Sequence, residues 1–149
     1  MNYLWLTPLY FQGLIILWDD LYFHRKRGLP FFERWGHPLD TISYLAALLF
    51  PYYNLPTNLN QIVFAAIALF STVFITKDEF LHFKLCGSTE MWIHAMAFSL
   101  HPICLGIVGY VWIQSPQQYQ QTSLFIIAPI FIFLFYQVIY WNFIWQKKS

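Results

Sequence analysis

Five long apolar runs, broken by short polar stretches, organise the chain. They cover about Tyr3 to Phe23, Pro38 to Tyr53, Leu59 to Thr76, Met91 to Ile113 and Ser123 to Trp145. A helix needs about 20 apolar residues to cross the hydrocarbon core of a bilayer. With their polar ends included, the runs predict helices over about 3–27, 38–53, 59–85, 89–113 and 123–146. Strands of a membrane β-barrel are shorter, about 10 residues, and alternate polar with apolar, which these runs do not. The punctuation fits helices. Gly28 and Pro30 end the first, and Gly36-His37-Pro38 starts the second with proline at its first position. Pro51, Pro56 and Asn58 mark a turn, and Cys86-Gly87-Ser88-Thr89 ends the third helix and caps the fourth. Ser115, Pro116 and a Gln-rich stretch separate the fourth from the fifth.

Composition turns this pattern into a class. Of 149 residues, 58% are hydrophobic and only 10% are Asp, Glu, Lys or Arg, against roughly 25% in a soluble domain. So few charges cannot cover a globular surface, so the expected fold is an all-α integral membrane protein: one transmembrane domain of five helices over residues 1–149. The net charge of +1 argues against a nucleic-acid footprint, which needs a basic face. Met1-Asn2-Tyr3 has no basic character and no small-residue cleavage site follows, so the first run is expected to stay as a membrane helix. Cys86 and Cys104 lack CxxC spacing and read as reduced thiols.

Charge then sets an expected orientation. All eight Lys and Arg residues fall after the first, third and fifth runs: Arg25, Lys26, Arg27, Arg34, Lys77, Lys84, Lys147 and Lys148. Positive residues stay on the cytosolic side, which puts the N-terminus outside and the C-terminus inside. The expected location is a bacterial cytoplasmic membrane, with Trp18, Trp35, Trp92, Trp141 and Trp145 at the inner interface and Trp112 at the outer one. The basic, aromatic stretch from His24 to Trp35 reads as a loop on anionic lipid, or as a lid binding a lipid headgroup.

The remaining polarity carries the chemistry. Seven carboxylates and five histidines make twelve groups. Eleven of them lie in four clusters at the cytosolic ends of the runs: Asp19, Asp20 and His24; His37 and Asp40; Asp78, Glu79 and His82; Glu90, His94 and His101. Only Glu33 lies outside. Asp20 and His24, Asp78 and His82, and Glu90 and His94 are each four apart, on one helix face. Glu79 and His82 form the ExxH motif that soluble di-iron bundles draw from two of their helices. The candidate metal ligands are therefore Asp20, His24, His37, Asp40, Asp78, Glu79, His82, Glu90, His94 and His101, on the first four helices.

Some members have simpler uses. Asp40 and Glu90 sit near helix N-termini, where the dipole favours an acid, and His37 fits an N-cap. Asp19 and Asp20 face about 100° apart, so one of them is expected to ligate. Asp20 has the better spacing to His24, while Asp19 can pair with Arg25 or Arg27. Asp78 and Glu79 pose the same choice, with Lys77 as a salt-bridge partner. His101 lies about 16 Å beyond Glu90 along a helix. It reaches the site only through a bend at Pro102, makes a deeper substrate contact, or packs.

About four clustered carboxylates repel unless cations neutralise them. Two divalent metal ions do so, and carboxylate with imidazole suits iron, zinc or manganese. The ferritin-like ligand mix favours iron. The expected activity is oxidation of a lipid or another apolar small molecule, with a redox partner supplying electrons. Zinc would instead make a membrane hydrolase acting on a lipid, and a third class is a non-catalytic metal-binding or structural subunit. The chain lacks the HxxxH and HxxHH boxes of fatty acid desaturases and the HExxH of membrane metalloproteases.

Overall fold

The apolar runs are realised as helix. A computed structural model describes residues 3–145, with only the backbone of residues 78–81. Among the described residues there is no strand; five long rods and one short helix account for nearly all of them. Rod α1 covers residues 4–27 and is not uniform. A 3-10 turn at Leu4–Leu6 leads into α-helix over Thr7–Trp18, then a π-helical stretch at Asp19–His24, then a last turn at Arg25–Arg27. Gly28 stops it with a φ of 79°, which L side chains rarely adopt. Helix α2 spans Phe31–Tyr53. It begins at Phe31 rather than at Pro38, because extended Pro30 already supplies a helix start. Pro38 therefore lies inside the helix, and Glu33, Arg34 and His37 belong to its first turns rather than to a loop.

Rod α3 covers Asn58–Leu85, with a 3-10 turn at Ile75–Asp78 between two α-helical parts. The Thr57 hydroxyl caps it by accepting from the Asn60 N–H. Helix α4 is Ser88–Gln114 and runs through Pro102. The Gln-rich stretch expected as a connector is a short helix, α5, at Pro116–Thr122. Rod α6 covers Leu124–Ile144 and ends in a second π-helical stretch at Tyr140–Ile144. By length and composition α3, α4 and α6 are apolar enough to cross a membrane. Residue 146, the last of the expected fifth helix, and Lys147 and Lys148 lie outside the described residues.

The rods form a ring with one seam. α1 packs on α4, α4 on α3, α3 on α2 and α2 on α6. The seam lies between α6 and α1, which meet near their ends, at Tyr10 with Phe125 and at Asp20 with Trp141. One end of the bundle holds the apolar core, built around Trp5, Leu48, Phe64, Val108, Trp112 and Tyr119. Its polar atoms are used internally. Tyr119 donates to the Leu48 carbonyl at 2.6 Å and Trp112 to the Asn54 carbonyl at 2.8 Å. Gly109 lets α3 approach closely, since a Cβ there would lie 2.7 Å from the Phe64 ring. Outside, Leu59, Ile62, Leu69, Ile132 and Phe135 are all more than 60% exposed, as a lipid-facing surface requires.

Candidate metal centre

The opposite end of the bundle is polar inside. The π-helical stretch of α1 decides which acid enters it. Its backbone bonds run from i to i+5 rather than i+4, so Asp19 and His24, five apart, share a face. Asp19 Oδ2 lies 3.1 Å from His24 Nε2 and accepts from His94 Nε2 at 2.9 Å. Asp20, which α-helical spacing favours, stands on the other side of the His24 ring, 3.5 Å from Nδ1. There it accepts a 3.0 Å hydrogen bond from the Trp141 indole. Thus Asp19 pairs with two histidines, not with Arg25 or Arg27.

Glu90, at the start of α4, brings Oε1 to 3.8 Å from His24 Nε2. One ligand atom each from Asp19, His24, Glu90 and His94 lies within 4.8 Å of the others, and all four residues are buried. A second group shares His24 and adds Glu33 and His37 within the same limit. Glu33, the one acid outside the sequence clusters, is fully buried. Its signal was present: Glu33 and His37 are four apart, like Asp20 and His24 or Glu90 and His94. The late start assigned to the second helix concealed it.

Four imidazoles line this end. The His24 and His37 rings stack at 4.9 Å between centroids, and His82 lies 4.1 Å from His94 and 6.3 Å from His37. His82 Nε2 is 3.9 Å from Glu33 Oε1. Asp78 and Glu79 were also expected here; their side chains lie outside the described residues.

Arg27 closes the site at the bundle end. Its guanidinium donates to Glu33 at 2.9 Å and to Glu90 at 3.0 and 3.1 Å. Arg25 sits 4.8 Å over the Tyr140 ring and Arg34 4.8 Å over that of Trp145. Trp145 also covers Gly28, where a Cβ would meet its ring at 2.7 Å. The basic stretch is therefore packed on the end of α6.

Two expected ligands are not gathered in. Asp40 accepts a 2.6 Å salt bridge from Lys77 across α2 and α3. His101 lies one further heptad along α4, about 10 Å from His94. There Nδ1 meets Gln12 Nε2 at 3.3 Å and Nε2 meets the Ser71 hydroxyl at 3.0 Å. Tyr44 donates to Gln12 Oε1 at 3.2 Å, which completes a closed polar set at mid-bundle.

The site can hold a metal ion. Asp19 Oδ1, Asp20 Oδ2, both ring nitrogens of His24 and of His82, and His37 Nε2 are buried without a hydrogen bond. His24 Nε2 is near Asp19 yet not aligned to donate to it. Buried polar atoms are nearly always satisfied, and leaving one bare costs about 1–3 kcal/mol. Here they are nitrogen and carboxylate atoms crowded at one end, the donor set that divalent transition metals take. Compared with models of known protein families, with curated proteins and with solved structures, the chain matches none.

Proposed function

We propose that this chain is a membrane-embedded metalloenzyme that crosses the bilayer five times, N-terminus outside, with a two-metal centre near the cytosolic face. The two overlapping ligand groups that share His24 carry the reading. Asp19, Glu90 and His94 would serve one cation and Glu33 and His37 the other, with His24 able to join either group and His82 Nε2 3.9 Å from Glu33 Oε1. The centre gathers four acids, Asp19, Asp20, Glu33 and Glu90, and Arg27 pairs with two of them, an excess of acid over base. Divalent ions would offset that excess. The orientation rests on the basic residues, whose described members lie at the same end as the site.

Iron is the preferred metal, and it would activate dioxygen. Inserting one oxygen atom into a C–H bond reduces the other to water and consumes two protons and two electrons, drawn from a reduced redox partner. The chain's own residues hold and orient the ligands. Arg27 fixes the Glu33 and Glu90 carboxylates. Trp141 fixes Asp20 3.5 Å from His24 Nδ1, where a small shift would let the imidazole donate to it and orient the ring. The bundle excludes bulk water, which strengthens every charge interaction within.

The test is metal analysis of protein purified without chelator, followed by an optical or Mössbauer spectrum. About two irons per chain is the expected result, as in carboxylate-bridged bundles. Folded protein free of metal would refute the proposal. Zinc alone would move the reading to lipid hydrolysis, and bound iron without oxygen uptake would leave a metal-binding subunit.

A further inference from the structure

The seam in the ring leads somewhere. A cavity of about 530 Å³ runs from Asp19, His82 and His94 at the metal centre to Gln12, Tyr44 and His101 at mid-bundle. That volume lies in the range of small-molecule sites. Each end is marked on the same two rods, Asp19 to Gln12 on α1 and His94 to His101 on α4. Seven residues separate them in both cases, about 10 Å. Between the ends α1, α4 and α6 present Ile16, Ala97, Phe98, Ile130 and Phe133, while the polar residues of α2 there are already engaged, Asp40 by Lys77 and Thr41 by Gln137.

The mouth of the cavity faces sideways. Its rim is Gly13 and Leu14 on α1 and Pro129 and Ile132 on α6, all exposed. Leu14 is 63% and Ile132 71% exposed, so the rim continues the lipid-facing surface. The opening is framed at both ends. Tyr10 donates to the Phe125 carbonyl at 2.9 Å on one side, and Trp141 donates to Asp20 at 3.0 Å on the other. From Tyr10 to Asp20 is about 15 Å of helix. Two hydrogen bonds thus pin α1 to α6 above and below a gap that neither rod fills.

We propose that the substrate is a bilayer lipid whose hydrocarbon chain enters through this gap, with its polar end at the metal centre. This rests on the metalloenzyme reading and specifies its substrate. The deep end favours a chain over a headgroup. Gln12, Tyr44, His101 and Ser71 spend their polar atoms on one another, and none of them is an acid, a lysine or an arginine that would receive one. The reacting atoms are then those next to the lipid's polar end, because only these reach Asp19, His82 and His94 when the chain lies inward.

Photo-cross-linking tests this. The full chain is placed in bilayers doped with a phospholipid that carries a diazirine near the terminus of one acyl chain, and adducts are mapped by peptide mass spectrometry. Adducts are expected inside, on Phe98 and Ile130, as well as on outward positions such as Ile62. A Cβ added at Gly13 meets nothing within 4 Å, so Gly13→Trp plugs the mouth from open space. It should abolish the interior adducts, leave those at Ile62 and keep the wild-type metal content. Ala97→Phe narrows the cavity from the opposite wall and should do the same. Interior positions that stay unlabelled in the wild type, or stay labelled in both folded variants, would overturn the proposal. Metal content is read on the same samples. Interior labelling without metal would defeat the metalloenzyme reading alone, and metal without interior labelling would defeat the lipid route alone.

Discussion

Asp19→Asn and Asp20→Asn make the sharpest pair of perturbations, because two helical geometries rank them oppositely. With α-helical spacing Asp20 faces His24 and its loss should be the worse. With the π-helical stretch Asp19 reaches His24 Nε2 at 3.1 Å and His94 Nε2 at 2.9 Å, while Asp20 sits behind the ring and holds Trp141. At an effective dielectric of about 20, two unit charges about 4 Å apart interact by about 4 kcal/mol. A divalent cation doubles this, and the hydration regained by the free ion cancels most of it. Losing a direct ligand should therefore leave a net deficit of about 3 kcal/mol, or about 100-fold in metal affinity. Losing a residue that only orients a ligand costs about 10- to 100-fold, and Asp20, held at 3.5 Å, belongs at the low end. The assay is competition with a chromophoric chelator, with metal content read by mass spectrometry and folding checked by circular dichroism. Equal losses, or a larger loss for Asp20→Asn, would refute the π-helical argument for Asp19.

Other residues give independent checks. Arg27→Gln removes the guanidinium that donates to Glu33 and Glu90 and should lower the stability of the metal-free protein by about 3 kcal/mol. Unfolding in denaturant should show a smaller loss once metal is restored. Gly28→Ala places a Cβ 2.7 Å from the Trp145 ring and holds alanine at a φ of 79°. It should cost about 1–3 kcal/mol, read as a fall in melting temperature. Burial pushes the Cys86 thiol from 9.0 up to about 12, with Arg27 opposing and Glu90 reinforcing the shift. At pH 8 it should alkylate far more slowly than a free cysteine. The unfolded thiol ionises first, so Cys86 contributes stability below pH 9 that declines as pH rises toward 12. Tyr119→Phe removes the 2.6 Å hydrogen bond to the Leu48 carbonyl and should cost about 0.5–1.5 kcal/mol in thermal unfolding.

The rods were legible in the sequence because each buries or exposes a long apolar face, and the acid–histidine clusters stood out against that background. What escaped follows from local geometry. Asp19 was hidden by an extra residue per turn, which no hydropathy pattern reports. Glu33 was hidden because Pro38 looked like a helix start, although Pro30 serves and a helix tolerates an inner proline at a kink. Asp40 has ligand-like spacing to His37, but the nearby Lys77 of the 3-10 turn claims it. His101 is buried and polar, as a ligand would be, yet two neighbouring rods satisfy both of its nitrogens. Such partners come from other parts of the chain and are not visible in spacing along one helix.

The bundle keeps its dense core and its polar centre at opposite depths. Trp112, Tyr119 and Leu48 lie at one end, while Asp19, Glu33 and the four imidazoles lie at the other. Unfolding would then be graded along the rods, with the polar end opening first while the far end holds the helices in register. A site at the softer end can exchange ions and reposition side chains without melting the bundle.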